Sequence, residues 1–255
     1  MEKLFTSFRS QKLAWLAIAL ATIPVAVCGL GETDVKGFSL EMQLLMDRGK
    51  KGDAEAQSRL GFCFMTGEGV PKDFQTALEW YRMSANQNFP VAQNDLGVCY
   101  RDGVGVPKDD KTAVEWFRKA ATQGYADGQL NLGWMYDHGR GVQSDLYEAF
   151  NWYRKAAEQG HPVAQSNLGN MYRLGMGVEQ NSAQALKWVQ AAAAQGVASA
   201  QYQLGWMYHQ GVGVSQDRDE AKKWYKQAAE QGFEEAQKAL SLMEYTWYRL
   251  LVSAL

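Results

Sequence analysis

The sequence has few residues of the kinds that build catalytic and metal sites. Only three histidines and three cysteines occur in its 255 residues. The histidines, His138, His161 and His209, fall at three different positions of the internal repeat described below, so the repeat does not gather them into a ring of metal ligands. No recurring acid, base or nucleophile stands out elsewhere. We therefore predict that the protein is not an enzyme and holds no metal or cofactor.

The chain also lacks a block of lysine or arginine, and its formal net charge is −2. A mildly acidic chain of this kind gives no basis for nucleic acid or anionic lipid as the main partner. The recurrent G-x-G-V segments lack the G-K-[S/T] that completes a phosphate-binding loop, and no strand-like run precedes them. We interpret these segments as turns between helices.

Two of the three cysteines stand one repeat apart. Cys63 and Cys99 occupy a position that is Met135, Met171 and Met207 in the other copies, which indicates a buried apolar site. Equivalent helices of adjacent repeats should lie about 8–10 Å apart, whereas a disulfide requires Cα atoms about 4.4–6.8 Å apart. Two buried free thiols are the prediction, and a disulfide between them is the alternative.

The N-terminal segment, up to Gly31, differs in character from the rest of the chain. A stretch with three positive charges, MEKLFTSFRSQK, precedes an uncharged and mostly apolar run from Leu13 to Gly31, which is the pattern of a secretory signal peptide cleaved after Gly29. An uncleaved anchor over residues 13–31 is the alternative, because a run of this length can span a bilayer. A lipid-modified Cys28 fits less well. We predict export, to the periplasm or out of the cell.

The remainder of the chain repeats itself. LGWMYDHGRGV begins at Leu132 and the nearly identical LGWMYHQGVGV at Leu204, and weaker copies begin at Leu60, Leu96 and Leu168. Successive copies are therefore separated by a constant period of 36 residues, without insertions. A fixed period of this length indicates a tandem array of supersecondary units that share one elongated core.

Each unit has the pattern of a hairpin of two amphipathic helices. In the first unit Ala56, Leu60, Cys63 and Phe64 form the apolar stripe of helix A, and Gly67 ends that helix in the left-handed conformation. A polar residue in the same phase of every unit predicts the N-cap of helix B; these residues are Asp73, Asp109, Asp145, Asn181 and Asp217. A lone hairpin cannot bury both apolar faces, so neighbouring hairpins must stack.

A glycine follows the repeated leucine in the middle of every helix A, at Gly61, Gly97, Gly133, Gly169 and Gly205. Glycine at such a position costs about 1 kcal/mol relative to alanine. Its repetition in five units predicts that another backbone approaches there, and that a larger side chain would destabilise the array by roughly 1–3 kcal/mol.

The consensus A-x-x-x-L-G-x-x-Y-x-x-G-x-G-V, followed by D-x-x-x-A-x-x-W-Y-x-x-A-A-x-x-G, resembles the Sel-one-like repeat family, a relative of the tetratricopeptide repeat. The resemblance covers residues 52–232 and implies an all-α fold, a right-handed α/α superhelix (solenoid) of five 36-residue helical hairpins with half-repeat caps. Residues 31–51 are predicted to form a linker and an N-terminal capping helix, and residues 233–255 a C-terminal capping helix. Residues 1–30 are the predicted signal peptide or membrane anchor.

Positions that differ between the copies indicate where recognition takes place. One face of helix A carries an aromatic and apolar ladder with a charged rim; the ladder is Phe62, Leu130, Trp134, Tyr202 and Trp206, and the rim is Arg101, Asp137 and Arg173. The resemblance implies that the A helices line a concave surface, and aromatic residues beside arginine are typical of interaction hot spots. The alternative is that Trp134 and Trp206 are ordinary core, where the burial of each would stabilise the array by about 1.5–3 kcal/mol.

These features predict an exported scaffold or adaptor that binds a partner protein or peptide on its concave face. The alternative is a small-ligand binder or hydrolase acting on cell-wall fragments, which would require Asp137, His138 and His209 to converge in one pocket. The chain departs from the cysteine-rich branch of the family, so the penicillin binding or hydrolysis associated with that branch is not expected. We expect a monomer that contacts a membrane only through an uncleaved N-terminal segment.

Overall fold

The computed structural model describes residues 39–253, and this part of the chain contains twelve α-helices and no extended strand. In chain order the helices are α1 (Leu40–Lys50), α2 (Ala54–Thr66), α3 (Phe74–Asn86), α4 (Pro90–Asp102), α5 (Asp110–Thr122), α6 (Ala126–His138), α7 (Leu146–Glu158), α8 (Pro162–Leu174), α9 (Ser182–Ala194), α10 (Ala198–Gln210), α11 (Arg218–Glu230) and α12 (Glu234–Ser253). The even-numbered helices from α2 to α10 are helix A of repeats 1 to 5, and the odd-numbered helices from α3 to α11 are helix B.

The ends of the helices are fixed by the residues that the sequence indicates. The side chain at each predicted N-cap of helix B accepts hydrogen bonds from backbone N–H groups of the first turn, as Asp145 does from Tyr147 and Glu148. Each helix A ends at a glycine in the left-handed region, for example Gly139 at φ 62°. The backbone N–H of Asp145 then donates to the Tyr136 carbonyl at 3.1 Å and closes the turn. Local sequence therefore sets the hairpins.

Packing of successive helices creates the core. From α2 to α12 each helix packs against the next one. The repeated leucine of helix A is buried in every unit, at Leu60, Leu96, Leu132, Leu168 and Leu204. The five hairpins thus form a solenoid, as the sequence predicted; the handedness of its superhelix stays a prediction.

The glycines are close to two different kinds of neighbour. A Cβ atom added to the mid-helix Gly61 would lie 2.5 Å from Cδ1 of Tyr81, and one added to Gly97 would lie 2.6 Å from the Phe117 ring. At these two positions the nearest neighbour is therefore a ring of helix B in the same hairpin. At Gly133, Gly169 and Gly205 backbone atoms of helix B would also lie 3.1–3.3 Å from the added atom, as the sequence led us to expect. Backbone approaches still more closely at the second glycine of the turn, where a Cβ atom on Gly141 would overlap the carbonyl oxygen of Asp110.

A buried glutamine in each helix A joins successive hairpins. In repeat 3, Nε2 of Gln129 donates to the Ala121 carbonyl of the preceding repeat at 3.2 Å, and Oε1 accepts a hydrogen bond from Gln159 at 2.8 Å. The same pair of bonds, or part of it, recurs at Gln57, Gln93, Gln165 and Gln201. The signal for this contact is a glutamine three residues before the repeated leucine in every copy, and its role was not predicted from the sequence.

The two central cysteines are free and buried. Burial raises the pKa of both thiols, that of Cys99 to about 12. The prediction of two buried free thiols is confirmed, and at neutral pH both remain protonated.

None of the helices within residues 39–253 is long and apolar enough to cross a bilayer. The predicted signal peptide or anchor, its cleavage site and Cys28 lie outside the described residues. Export and membrane anchoring therefore stay predictions.

Candidate functional site

The eight predicted partner-binding residues all lie on A helices, and each is half-buried. Three neighbours on the same face, Ser58, Asn94 and Ser166, are fully buried and polar. This face of the A helices is therefore partly buried where successive repeats pack together. The side chains of the eight residues keep some exposed surface and also contact an adjoining helix.

Both candidate tryptophans contribute to the core. Trp134 packs against buried residues of two neighbouring core clusters, one containing Phe117 and the other Tyr153. Trp206 likewise packs against two clusters, one of which contains Tyr225. The core alternative thus applies to part of each indole, and the part that remains exposed is available for contact.

Arg101 of repeat 2 lies over Trp134 of repeat 3, with its Cζ atom 6.0 Å from the ring centroid. Its Nε and Nη2 atoms each donate to the Asp102 carboxylate at 2.8 Å, and Nη1 donates to Oδ1 of Asn131 at 3.0 Å. The side chain is only 12% exposed. The charge of Arg101 is therefore neutralised within the protein.

Further groups surround the Trp134 ring. Arg140 places its Cζ atom 5.4 Å from the ring centroid and is held by a two-pronged ion pair with Asp110, at 2.8 and 2.7 Å. The imidazole of His138 stacks on the indole with ring centroids 4.4 Å apart. Trp134 thus lies in a closely packed, internally balanced cluster of charges.

Asp137, predicted as a rim residue, has neighbours in its own hairpin. The Tyr153 hydroxyl donates to its Oδ2 atom at 3.5 Å, and Nδ1 of His138 lies 3.7 Å from the same oxygen. Burial raises the pKa of Asp137, although the nearby His138 and the hydrogen bond from Tyr153 act in the opposite direction.

The enzyme alternative requires Asp137, His138 and His209 to converge in one pocket. Asp137 lies beside His138, but Nδ1 of His209 is buried and has no hydrogen-bond partner in the described part of the chain. Between residues 39 and 253, no group of three His, Cys, Asp or Glu side chains is placed to hold a metal ion.

Arg173 of repeat 4 lies over Trp206 of repeat 5 in the same way, with its Cζ atom 5.2 Å from the ring centroid. Its Nη2 atom donates to Oδ1 of Asn170 at 2.6 Å. Among the described residues no carboxylate forms an ion pair with Arg173, and burial lowers the pKa of its guanidinium. The next residue, Leu174, is 50% exposed.

The remaining ladder residues have separate neighbours. The Tyr202 ring lies 5.5 Å from that of Tyr225 and 5.4 Å from that of Phe233. Phe62 lies under Arg59 at 5.2 Å, and Leu130 packs against the core around Tyr153. The structure therefore brings the predicted residues together as two arginine–tryptophan pairs, and does not join them into one continuous ladder of contacts.

The hairpins with these pairs correspond to a known repeat. A model described as the Sel1 repeat matches residues 54–89, 90–125, 126–161, 162–197 and 198–233. The chain belongs to the Sel1 repeat family. The matched units begin two residues after those inferred from the 36-residue period, because the repeat has no unique starting point.

Several solved structures are similar to this chain. A protective antigen of uropathogenic Escherichia coli strains that displays an SLR fold is 40% identical, with a TM-score of 0.73 over 79% of this chain and 43% of the antigen. A Sel1 repeat protein from Oxalobacter formigenes is 32% identical, with a TM-score of 0.71 over 78% of this chain and 86% of that protein. An immunity protein from Pseudomonas aeruginosa is 25% identical, with a TM-score of 0.52 over 87% of this chain and 82% of that protein. No curated protein matches the chain.

Membership in this family indicates a general function, because the Sel1 repeat fold generally serves as a scaffold for protein–protein interaction. This Sel1 chain spans less than half of the E. coli antigen.

Proposed function

We propose that this Sel1 repeat protein is an exported scaffold that binds a partner protein or peptide along its A helices, on the face that carries the two arginine–tryptophan pairs. The observation that supports this site is the half-burial of Trp134 and Trp206, each beneath an arginine of the preceding repeat. Rigid aromatic side chains beside arginine supply contact area at a small cost in conformational entropy.

The proposal includes the setting in which the scaffold acts. Export rests on the charged and apolar segments that precede Glu32. The mildly acidic net charge of −2 favours a protein or peptide over nucleic acid. The proposal takes the array to bind its partner as a monomer.

Site-specific photo-crosslinking tests the binding face without disturbing the core. A p-benzoylphenylalanine is placed at Leu174, which is 50% exposed on a helix A, and in a matched control at Tyr147, which is 64% exposed on a helix B. Both variants are irradiated in a cell-envelope extract of the source organism. A crosslinked protein expected at position 174 and not at position 147 supports the A-helix face. The opposite pattern would move the site to the B helices.

A pair of tryptophan variants measures the contribution of the indole. Trp206→Ala removes a half-buried indole from helix A, whereas Trp188→Ala removes a half-buried indole from helix B and controls for lost packing. We expect the crosslinked partner to be lost with the first variant and retained with the second, with circular dichroism recording the helicity of both. Retention by both would exclude Trp206 from the interface.

Export is tested on the intact N-terminus. The segment from Met1 to Gly31 is fused to alkaline phosphatase, which becomes active only outside the cytoplasm, and the N-terminus of the mature full-length chain is determined by mass spectrometry. Phosphatase activity with a new N-terminus after Gly29 is expected. Activity without cleavage would support the anchor, and an inactive fusion would remove export from the proposal.

A further inference from the structure

The two arginine–tryptophan pairs stand two repeats apart, but the residues around them differ in charge. Three carboxylates and one cation surround the first pair, and each is replaced by a residue that carries no fixed charge at the corresponding position of the second. Asp102, Asp110, Asp137 and Arg140 correspond to Leu174, Ser182, His209 and Val212. The first arginine is therefore balanced by acids of its own chain, whereas the second has lost every equivalent of them.

Arg173 also has unused hydrogen-bonding capacity. A guanidinium carries five N–H donors, and one of those of Arg173 is used, in the bond to Asn170. Gln203 stands where Asn131 accepts a bond from Arg101, yet Oε1 of Gln203 is buried without a hydrogen-bond partner among the described residues. The second site therefore keeps the arginine but lacks the three acceptor contacts that hold the first.

A half-buried guanidinium without a counter-ion is unfavourable, because desolvation weakens its interaction with water and no charge compensates for the loss. A carboxylate supplied from outside would relieve this cost. It would meet the edge of the planar guanidinium, where the N–H donors lie, in the two-pronged geometry that arginine forms with carboxylates, as Asp102 does at the first site.

We propose that Arg173, flanked by Trp206 and the exposed Leu174, binds the carboxylate of a glutamate or aspartate side chain within the partner peptide. This inference rests on the proposed function, since it names the chemistry of a partner that binds the A-helix face. Leu174 and the Trp206 indole provide apolar surface on either side of the charge, so an acidic residue next to an apolar residue fits the site.

The test uses indole NMR signals of the full-length chain labelled with ¹⁵N-tryptophan. Three probes are titrated: acetyl-Gly-Leu-Glu-Leu-Gly-amide, its neutral counterpart with glutamine in place of glutamate, and the glutamine peptide with a free C-terminal carboxylate. The Trp206 signal is identified as the one missing from Trp206→Phe. We expect the glutamate probe to shift it in a saturable way and to bind at least about tenfold more tightly than the other two.

Two arginine variants provide the controls. Arg173→Gln should remove the preference for glutamate, whereas Arg154→Gln should keep it, because Arg154 also lies over an aromatic ring, Phe150 at 5.6 Å, but on helix B. The proposal is overturned by equal binding of the neutral probe, by tighter binding of the free C-terminus, by a preference that survives Arg173→Gln, or by no shift at Trp206. None of these results would remove a partner crosslinked at position 174, so the two proposals fail separately.

Discussion

Repeats 2 and 3 carry Arg101 and Trp134, and repeats 4 and 5 carry Arg173 and Trp206 at the same places in the array. The first arginine is 12% exposed and bound by the carboxylate of Asp102, whereas the second is followed by Leu174 and has no ion pair within the described chain. The same helix position thus has its charge balanced within the chain in one region and lacks an ion pair in the other, where we propose that a partner binds. The residues beside a repeated arginine therefore decide whether its charge is balanced within the chain.

The largest expected effect concerns the second glycine of the turn between helices A and B, which both regions contain. Gly141 and Gly213 have φ near +70° and each faces the first residue of the preceding helix B. Substitution of either by alanine combines left-handed strain with overpacking, so we expect each to lower the free energy of unfolding by about 3–4 kcal/mol. Urea unfolding followed by circular dichroism measures this.

Gly196→Ala is the matched control for strain alone, because Gly196 has φ +84° and nothing lies within 4 Å of an added Cβ atom. It should cost about 1–2 kcal/mol. A cost at Gly141 that clearly differs from the cost at Gly213 would show that the two regions do not share one scaffold.

The buried glutamines should also behave alike in the two regions. Gln129→Leu and Gln201→Leu each remove a side-chain bond to a carbonyl of the preceding repeat, and that carbonyl keeps its backbone bond from Gly124 or Gly196. We expect each to destabilise the array by about 1 kcal/mol in urea unfolding, the net value of one hydrogen bond. The exposed partner Gln159 provides a control, because Gln159→Ala leaves the bond to Ala121 in place. An equally large loss in the control would contradict the role of the buried side chain.

A single substitution, which gives Arg173 the neighbouring carboxylate that Arg101 has, should abolish the difference in charge balance between the two regions. Leu174→Asp places a carboxylate where Asp102 binds Arg101, so the glutamate probe should bind about tenfold more weakly at Trp206, which corresponds to about 1.4 kcal/mol. Leu174→Asn is the matched uncharged control and should leave the affinity closer to that of the original chain. Undiminished binding by Leu174→Asp would show that Arg173 does not interact with the peptide.

The smallest effect concerns pH. Burial raises the pKa of Asp137 in the folded chain above its unfolded value, so ionisation destabilises the fold as pH rises through that interval. Asp137→Asn should therefore gain stability relative to the original chain as pH rises from below 4 to neutral, with no difference at the acidic end. Thermal unfolding at several pH values measures it. His209 occupies the equivalent position, so His209→Asn should lack this acidic dependence.

Much of the architecture could be predicted because the signals are local and repeated. The caps at Asp73 and its equivalents and the terminating glycines act within one turn of chain, so their residue types identify them directly. The neighbour of Gly61 is a ring and not the predicted backbone. The repetition of glycine every 36 residues shows that there is little space beside it, but not whether a ring or a backbone fills that space. The position of Tyr81 against that glycine arises only when the hairpin closes.

The sequence indicated which residues share a face of the A helices but not how they pair. The sequence placed Arg101, Trp134, Arg173 and Trp206 on one face, where a single groove was the simplest interpretation. Arg101 is neutralised by Asp102, the next residue in the chain, but its further bond to Asn131 spans 30 positions. That bond joins different repeats, so its geometry follows from how the hairpins stack.

By itself the sequence determined the number of repeats, the limits of their helices, the caps and the buried state of Cys63 and Cys99, since each depends on residue type and spacing along a single helix. Tertiary structure alone decided that glutamines join the hairpins, that the turn glycine meets the preceding helix, and that Arg101 is bound by Asn131 of the next repeat while Arg173 has no equivalent bond among the described residues. The physical reason is that these contacts depend on distances between repeats, and stacking sets those distances.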